Sequence, residues 1–320
     1  MSIKNQVLDY LEDNQGKSIS GEEIARRFNV TRNSVWKAIK SLKNEGHLIT
    51  ATANGYLLPA EIDVFSANKI KNLSKSDIDI LMLDTASSSN DVAKELALRG
   101  APEGTVVVVK KQSAGRGRLG RSFISNEENG LYMSLILRPR IPAQQSVGIT
   151  AIGAVCALEA IESTSGVECS IKWVNDIYIN DKKVCGILSE ASINFEAQST
   201  DYVIVGIGIN ITPPNNGFND EIKDIATSIY PENAPNGFKS RLCAEIIDRF
   251  FKYYKTIEDK DYIKPYRERS NLIGKAVSVY RGNDIIDGVV LDIDDEANLI
   301  LEADSGVLKF NSGEARARRK

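Results

Sequence analysis

The strongest constraint on the fold is the hydrophobic pattern of the first 58 residues. Three short helical stripes are followed by an Asn-Gly pair between two apolar triplets. Ile3, Val7, Leu8 and Leu11 form the first stripe. Ser20 with Glu23 makes a capping box that starts a second helix ending near Phe28. Asn29-Val30 is a tight turn, and Thr31 N-caps a third helix running to Glu45, with Gly46 as its stop. On that helix Val35, Ile39 and Leu42 face inward, while Arg32, Asn33, Lys37 and Lys40 face out. Leu48-Ile49-Thr50 and Tyr56-Leu57-Leu58 flank Asn54-Gly55, a hairpin signal. Residues 26–44 carry six basic side chains (Arg26, Arg27, Arg32, Lys37, Lys40, Lys43) and no acid. A helix-turn-helix followed by a hairpin wing predicts a winged-helix DNA reader with Arg32, Asn33, Ser34, Lys37 and Lys40 on its DNA side. The alternative is a small protein-interaction domain with a solvated basic face.

Beyond a linker around Pro59 to Phe65 the periodicity changes. Strand candidates Ile78–Leu83, Thr105–Val109, Leu131–Leu137, Ile177–Ile179 and Tyr202–Ile211 alternate with helical stretches Asn90–Arg99, Val147–Glu162 and Lys239–Tyr254, a mixed α/β domain over 66–270. From 271 to 320, short alternating segments (Val277–Tyr280, Gly288–Ile293, Leu299–Leu301) between Gly-Asn and Asp-Asp turns read as a small β-barrel. The fold class is α+β in three domains, the first spanning 1–60. The terminal Arg316, Arg318, Arg319 and Lys320 read as a frayed, solvated end.

Composition narrows the chemistry. The chain has one histidine, His47, and four cysteines (Cys156, Cys169, Cys185, Cys243), no two closer than thirteen positions. Zinc sites of the Cys-x-x-Cys kind and Ser-His-Asp chemistry are nearly excluded, so catalysis must run on Lys, Arg, Asp, Asn and backbone groups. There is no apolar leader at the N-terminus, and the longest uncharged run, Ile141 to Leu158, contains Pro142, Gln144 and Gln145 and is too polar to span a bilayer. Sparse cysteines fit a reducing compartment. The expectation is a cytoplasmic chain without membrane contact.

The densest chemical signal is Gln112-Ser113-Ala114-Gly115-Arg116-Gly117-Arg118-Leu119-Gly120-Arg121. Gly115, Gly117 and Gly120 satisfy a dinucleotide G-x-G-x-x-G formally, but that fingerprint opens a helix and Ser122–Asn126 shows no helical stripe. Glycines permit positive φ and close wrapping of an anion, and arginines deliver bidentate cationic donors. Such a loop is expected to be disordered when empty and to fold over a polyanionic ligand. An RNA-binding or merely solvated Arg-Gly loop is the alternative.

That loop resembles the biotin- and adenylate-binding loop of biotin–protein ligases. Lys172-Trp173-Val174-Asn175-Asp176 resembles the family's Lys-Trp-Pro-Asn-Asp, Lys183-Val184-Cys185-Gly186-Ile187-Leu188-Ser189-Glu190 its Lys-x-x-Gly-Ile-Leu-x-Glu, and Gly206-Ile207-Gly208-Ile209-Asn210 its Gly-x-Gly-x-Asn strand. Four motifs stand in the family's order, and the winged helix matches members that also repress biotin-synthesis genes. The resemblance implies a class II synthetase-like catalytic domain and a C-terminal SH3-like barrel.

It further implies a two-step reaction with substrates biotin and ATP and with Mg²⁺. Biotin carboxylate attacks the α-phosphate to give biotinyl-5′-AMP and pyrophosphate. A lysine of the biotin carboxyl carrier protein, an acetyl-CoA carboxylase subunit or part of another biotin-dependent carboxylase, then takes the acyl group and AMP leaves. By resemblance Ser88, Ser89, Asn90, Gln112, Gly115, Arg116, Gly117 and Arg118 contact biotin, and Tyr132, Gly186, Ile187 and Leu188 line its valeryl slot. Gly206 and Gly208 let the ligand approach the sheet, and Lys183 polarises the carboxylate or acyl oxyanion. Arg116, Arg118, Arg121, Asn175, Asp176 and Asn210 meet the adenylate. Asp176 positions Mg²⁺ or accepts a proton from the incoming lysine, two roles that stay open. Three departures stand out: Phe123 for Trp, Val174 for Pro (which loosens the backbone before Asn175), and Ser89 for Thr. Biotinyl-AMP is implied as corepressor, ordering loop 112–124 and favouring a homodimer on operator DNA. The competing readings are a non-catalytic biotin-sensing regulator and a monofunctional ligase with a vestigial DNA-binding domain.

Overall fold

In a computed structural model, residues 2–44, 47–60, 62–139, 146–194, 199–282 and 284–317 are described. The expected helix end at Glu45-Gly46, the start of the uncharged run at Ile141, Pro142, Gln144 and Gln145, and the terminal Arg318, Arg319 and Lys320 lie outside them. Two compact units emerge, residues 1–73 with 235–241, and residues 74–234 with 242–320.

In the first unit the three stripes fold as α1 (Ile3–Asp13), α2 (Gly21–Arg27) and α3 (Arg32–Asn44), burying Val7, Leu11, Ile24, Val35, Ile39 and Leu42. Strand β1 (Ser18–Ile19) joins β2 (Thr50–Thr52) and β3 (Gly55–Leu57) in a three-stranded sheet ordered β1-β3-β2. Two local expectations are corrected. Only half of the capping box forms: Ser20 Oγ accepts from Glu23 N at 3.0 Å, but Glu23 accepts from the Tyr10 hydroxyl at 2.7 Å and does not return to Ser20. Because Thr52 pairs with Gly55, the hairpin turn is Ala53-Asn54, one residue earlier than Asn54-Gly55. Gly55 is needed in the strand, since a Cβ there would stand 2.1 Å from the Ile19 carbonyl oxygen. A short α4 (Ala67–Leu73) follows, its Asn68 and Asn72 amides donating to Asp13 at 3.2 and 2.5 Å.

The second unit is built on a seven-stranded sheet of β4 (Ile80–Ala86), β5 (Val106–Gln112), β6 (Gly130–Leu137), β7 (Ser170–Lys172), β8 (Asp176–Ile179), β9 (Lys182–Asn194) and β10 (Ser199–Asn210), ordered β4-β5-β6-β10-β9-β8-β7. Only β4 and β5 pair in parallel. Between β4 and β5 lies α5 (Ser89–Leu98), which packs on β5, β6 and β10. The opposite face is covered by α6 (Ser146–Ser165), whose Gly153 lies against Ile187 and Val205, and by α7 (Phe238–Lys255), whose Cys243 meets Met133.

On length and composition alone Val147–Ser165 would cross a membrane, contrary to the polarity argument. With 67% of that window buried inside the protein, it is a core helix. The four cysteines are buried and unpaired, and burial pushes the Cys169 thiol up to about 12.

After α8 (Ile263–Glu268), strands β11 (Ala276–Arg281), β12 (Asp284–Ile293), β13 (Leu299–Ala303), β14 (Gly306–Phe310) and β15 (Glu314–Ala317) form an antiparallel sheet ordered β14-β13-β12-β11-β15. Among the described residues β14 and β15 do not pair, so the barrel is not closed.

Candidate functional site

Side chains paired across neighbouring strands share a face of the sheet. Register therefore aligns Asp176, Gly186, Gly208 and Tyr132 in one row, and Leu188, Gly206 and Ser134 in the next. This is the face toward α5, and three glycines open it. A Cβ at Gly206 would lie 2.1 Å from Asn90 Oδ1, at Gly208 3.0 Å from the Phe123 ring, and at Gly186 3.0 Å from Lys183 Nζ. The glycines thus make room for neighbouring side chains on the face that lines the pocket.

Lys183 reaches this face through a β-bulge. Tyr178 pairs with Lys183 while Ile177 pairs with Cys185, so Val184 is the extra residue and Lys183 turns to the side of Asp176. The ammonium stands 2.6 Å from Asp176 Oδ1. The same carboxylate acts on two further cations, Arg118 and Lys172, whose pKa values burial lowers and Asp176 raises. Arg118 Nη1 donates to Asn175 Oδ1 at 3.0 Å, and Asn175 Nδ2 donates to the Ile187 carbonyl at 2.8 Å. Val174 is buried and its carbonyl accepts from the Tyr266 hydroxyl at 2.9 Å. The backbone before Asn175 is held, not loosened as the missing proline suggested.

The other end of the pocket is a polar wall. Ser88 caps α5, accepting from Asn90 N at 3.2 Å. Gln112 Oε1 accepts from Ser89 N at 2.7 Å and its Nε2 donates to Ser125 at 3.0 Å. Ser134 Oγ lies 2.6 Å from Asn90 Oδ1 and 2.8 Å from Ser89 Oγ. Having one proton, it donates to Asn90 and accepts from Ser89. Tyr132 is buried, its hydroxyl donating to Asn129 at 3.1 Å and its ring edge-on to Phe123 at 6.3 Å.

The Gly-Arg loop joins β5 to β6 as an irregular hairpin, with Phe123 N donating to Gly115 O at 2.9 Å and Gly117 N to Arg121 O at 2.7 Å. A 3₁₀ turn at Arg118–Gly120 sits at its tip, and no helix follows. Positive φ occurs at Leu119 (55°) and Gly120 (73°) but not at Gly115 or Gly117, another correction. Gly115 is required for closeness instead: a Cβ would stand 2.3 Å from Ser125 Oγ. The three arginines splay apart. Arg116 pairs with Asp91 at 2.5 Å and Glu190 at 3.2 Å, and Arg121 with Glu314 at 2.5 Å. Burial would raise the Glu314 carboxyl, but hydrogen bonds from Arg121 and Arg316 outweigh it and hold the group at about 2. Protein carboxylates thus pair with two of the three cations.

One pocket brings together Ser88, Ser89, Asn90, Gln112, Arg116, Gly117, Arg118, Tyr132, Asn175, Lys183, Gly186, Ile187, Leu188, Gly206 and Gly208, with Phe123 and Ile207 added. Gly115, Arg121, Asp176 and Asn210 do not line it. Asn210 Nδ2 donates to the Thr227 carbonyl at 3.0 Å. Asp176 does not suit a resident metal: its charge is matched by Lys183, and among the described residues no three His, Cys, Asp or Glu side chains converge. Sequence reasoning passed over Ser134, Asp91, Glu190 and Glu314 as site residues. Glu190 ends a motif and carried a signal; Ser134 in an apolar strand and Glu314 near the C-terminus carried none.

Every residue lining the pocket lies within a segment that matches a family model. The Biotin/lipoate A/B protein ligase family model matches residues 83–210, an HTH domain 4–57, and the Biotin protein ligase C terminal domain 272–315. The bifunctional ligase/repressor BirA of Bacillus subtilis strain 168 is 36% identical, with 98% of each chain covered. The chain belongs to the biotin–protein ligase family. A bifunctional ligase/repressor of Escherichia coli K12 is 24% identical over 93% of this chain and 92% of its own. The biotin protein ligase of Aquifex aeolicus, solved with biotin and ATP, superposes with a TM-score of 0.63 at 27% identity, covering 76% of this chain and 99% of that one.

On the outer face of the helix-turn-helix unit, Arg32, Asn33, Lys37 and Lys40 are exposed, as expected. Ser34 is half-buried, its backbone N–H donating to Thr31 Oγ1 at 3.1 Å and its hydroxyl lying 2.9 Å from the same oxygen. Trp36 is exposed on the same helix with Lys40 Nζ 5.1 Å above its ring.

Proposed function

We propose that this protein is an ATP-dependent biotin–protein ligase that is also a transcriptional repressor. The observation that carries the reading is the convergence of a hydrogen-bonding wall (Ser89, Asn90, Gln112) and a cationic corner (Lys183, Arg118) in one pocket of a chain that matches bifunctional ligase/repressors over nearly its whole length.

The wall suits a neutral ureido head, because its donors and acceptors are already fixed by Ser134, Ser125 and Leu188 and lose little entropy on binding. The valeryl chain would run along Ile187, Leu188 and Tyr132 toward Lys183. There the carboxylate oxygen attacks the α-phosphorus of ATP, the P–O bond to pyrophosphate breaks, and biotinyl-5′-AMP forms. In the second step a carrier lysine amine attacks the acyl carbon and AMP departs. The corner's main contribution is electrostatic: Lys183 and Arg118 stabilise charge developing between two anions, in a partly dry site where such contacts count most. Mg²⁺ enters as the counterion of ATP, held by its phosphates, and the acceptor is the biotin carboxyl carrier protein of a biotin-dependent carboxylase.

We read the chain as a DNA-binding part over 1–60, a catalytic part over 66–270 and a C-terminal part over 271–320, a division that the family matches at 4–57, 83–210 and 272–315 support. A cytoplasmic location and adenylate-dependent dimerisation on operator DNA complete it. The test is incubation with ATP, Mg²⁺, labelled biotin and a carrier domain. Label on the carrier lysine is expected, and its absence with biotin still bound would leave a sensor.

A further inference from the structure

Glu190 has no part in the reaction as derived, yet it bonds two residues that line the pocket, Asn90 and Arg116. Its Oε2 accepts from Asn90 Nδ2 at 2.8 Å and from Arg116 Nη2 at 3.2 Å, and its Oε1 accepts from Lys94 Nζ at 2.6 Å. Asn90 belongs to the polar wall on α5, while Arg116 belongs to the Gly-Arg loop that covers the pocket. Arg116 has a second anchor on α5, Asp91, at 2.5 Å.

Two acids and two bases therefore form a closed, neutral cluster. Swinging the loop away removes one cation, so that Glu190 keeps Lys94 alone and Asp91 loses its pairing with Arg116. Glu190 is the less exposed acid, with 21% of its side chain accessible against 40% for Asp91, so the loss falls mainly on it. Burial would raise its pKa, but hydrogen bonds from Lys94 and Asn90, with the charges of Lys94 and Arg116, outweigh burial and keep it low.

We infer that Glu190 is the positioning residue of a latch: one carboxylate holds Arg116 of the loop and Asn90 of the pocket wall, so that closing the loop and shaping the biotin end of the pocket are a single event. The inference rests on the biotin-ligase reading. It gives Arg116 a task other than meeting phosphate, and it makes loop opening the step that governs escape of the activated acid.

The test uses the full chain loaded with biotinyl-5′-AMP from biotin and ATP, and follows its release after a chase with unlabelled biotin. Glu190→Gln keeps the shape and the contact to Asn90 but removes the charge that binds Arg116. Release is expected to be about tenfold faster, the effect of losing one charge-assisted hydrogen bond at a partly exposed pair. The KM for biotin should rise, with a smaller change in kcat for adenylate formation. Arg116→Gln, which also gives up the Asp91 pair, should release at least as fast, and the double variant should release no faster than Arg116→Gln, because the Glu190 contact is already gone there. Wild-type release should also accelerate with salt, a dependence that weakens in Glu190→Gln, where only the Asp91 pair remains. Release at the wild-type rate in Glu190→Gln, or effects that multiply in the double variant, would overturn the latch while leaving the ligase reading intact. Should Glu190→Gln fail to fold, wild-type release that is flat in salt overturns it equally. If the wild type forms no adenylate at all, the reading beneath it falls first.

Discussion

At the scale of single residues, small groups with fixed neighbours decide the most. Asn90 is held by Ser134, the Leu188 carbonyl and Glu190, so it has nowhere to go if Gly206 gains a methyl group. Gly206→Ala should raise the KM for biotin and cost about 1–3 kcal/mol of stability through overpacking; an unchanged KM would separate Asn90 from biotin. Lys183→Gln should slow adenylate formation by about 10²–10³, the usual loss for one preorganised electrostatic contact, with biotin affinity less affected. Glu12 is a case unrelated to catalysis. It is 4% exposed, and burial raises its carboxyl from 4.5 to about 7, with the Ser66 hydrogen bond opposing and Asp9 and Asp13 adding. Because the folded state holds this proton more tightly than the unfolded one, no penalty exists below pH 4.5. The penalty grows as pH rises and is complete above about 7. Glu12→Gln should therefore stabilise the full chain at pH 8, by at most about 3 kcal/mol, and scarcely at pH 4.5. Equal gains at both pH values, by calorimetry, would show that Glu12 does not titrate in this range.

At the scale of elements, a helix face and a strand irregularity carry the function. The outer face of α3 presents Lys37 and Lys40 without an acid on that helix. If both contact phosphates, Lys37→Gln and Lys40→Gln should each reduce the salt slope of operator binding by about one, nearly independently of sequence. Arg32→Ala or Asn33→Ala should instead relax base preference. A slope unchanged in the lysine variants would move the DNA to another face. In β9 the bulge at Val184 is what carries Lys183 across the sheet. Strict alternation puts Lys183 on the face opposite Gly186, where its ammonium would be among the residues covered by α6. No feature of Asn180-Asp181-Lys182-Lys183 announces this, because a bulge is defined by the partner strand. The Asn-Gly hairpin slipped by one residue for a similar reason: β1 approaches so closely at Gly55 that the glycine serves the strand and not the turn.

At the scale of the whole molecule, the proposed corepressor role would couple the two activities through the population of loaded protein. We expect biotin plus ATP to tighten operator binding and to shift the chain toward a dimer, both read by gel shift and sedimentation. A full switch from 1:99 to 99:1 requires about a 10⁴-fold preference of the adenylate for the binding-competent state. Equal operator affinity with and without the adenylate would remove the corepressor role. Sequence alone determined the order of architectures, since helical and alternating periodicities are local properties of the chain; closely spaced glycine and arginine singled out the loop, while the other three motifs and most of the pocket were legible through their resemblance to biotin–protein ligases. It did not reveal that Asp176 neutralises Lys183, that Asn210 turns to Thr227, or that Glu190, Asp91 and Glu314 hold the loop arginines. Those depend on which strands lie side by side and in what register, and on where a bulge falls. Charge pairing is a matter of distances between residues far apart in the chain, and only the folded sheet sets them.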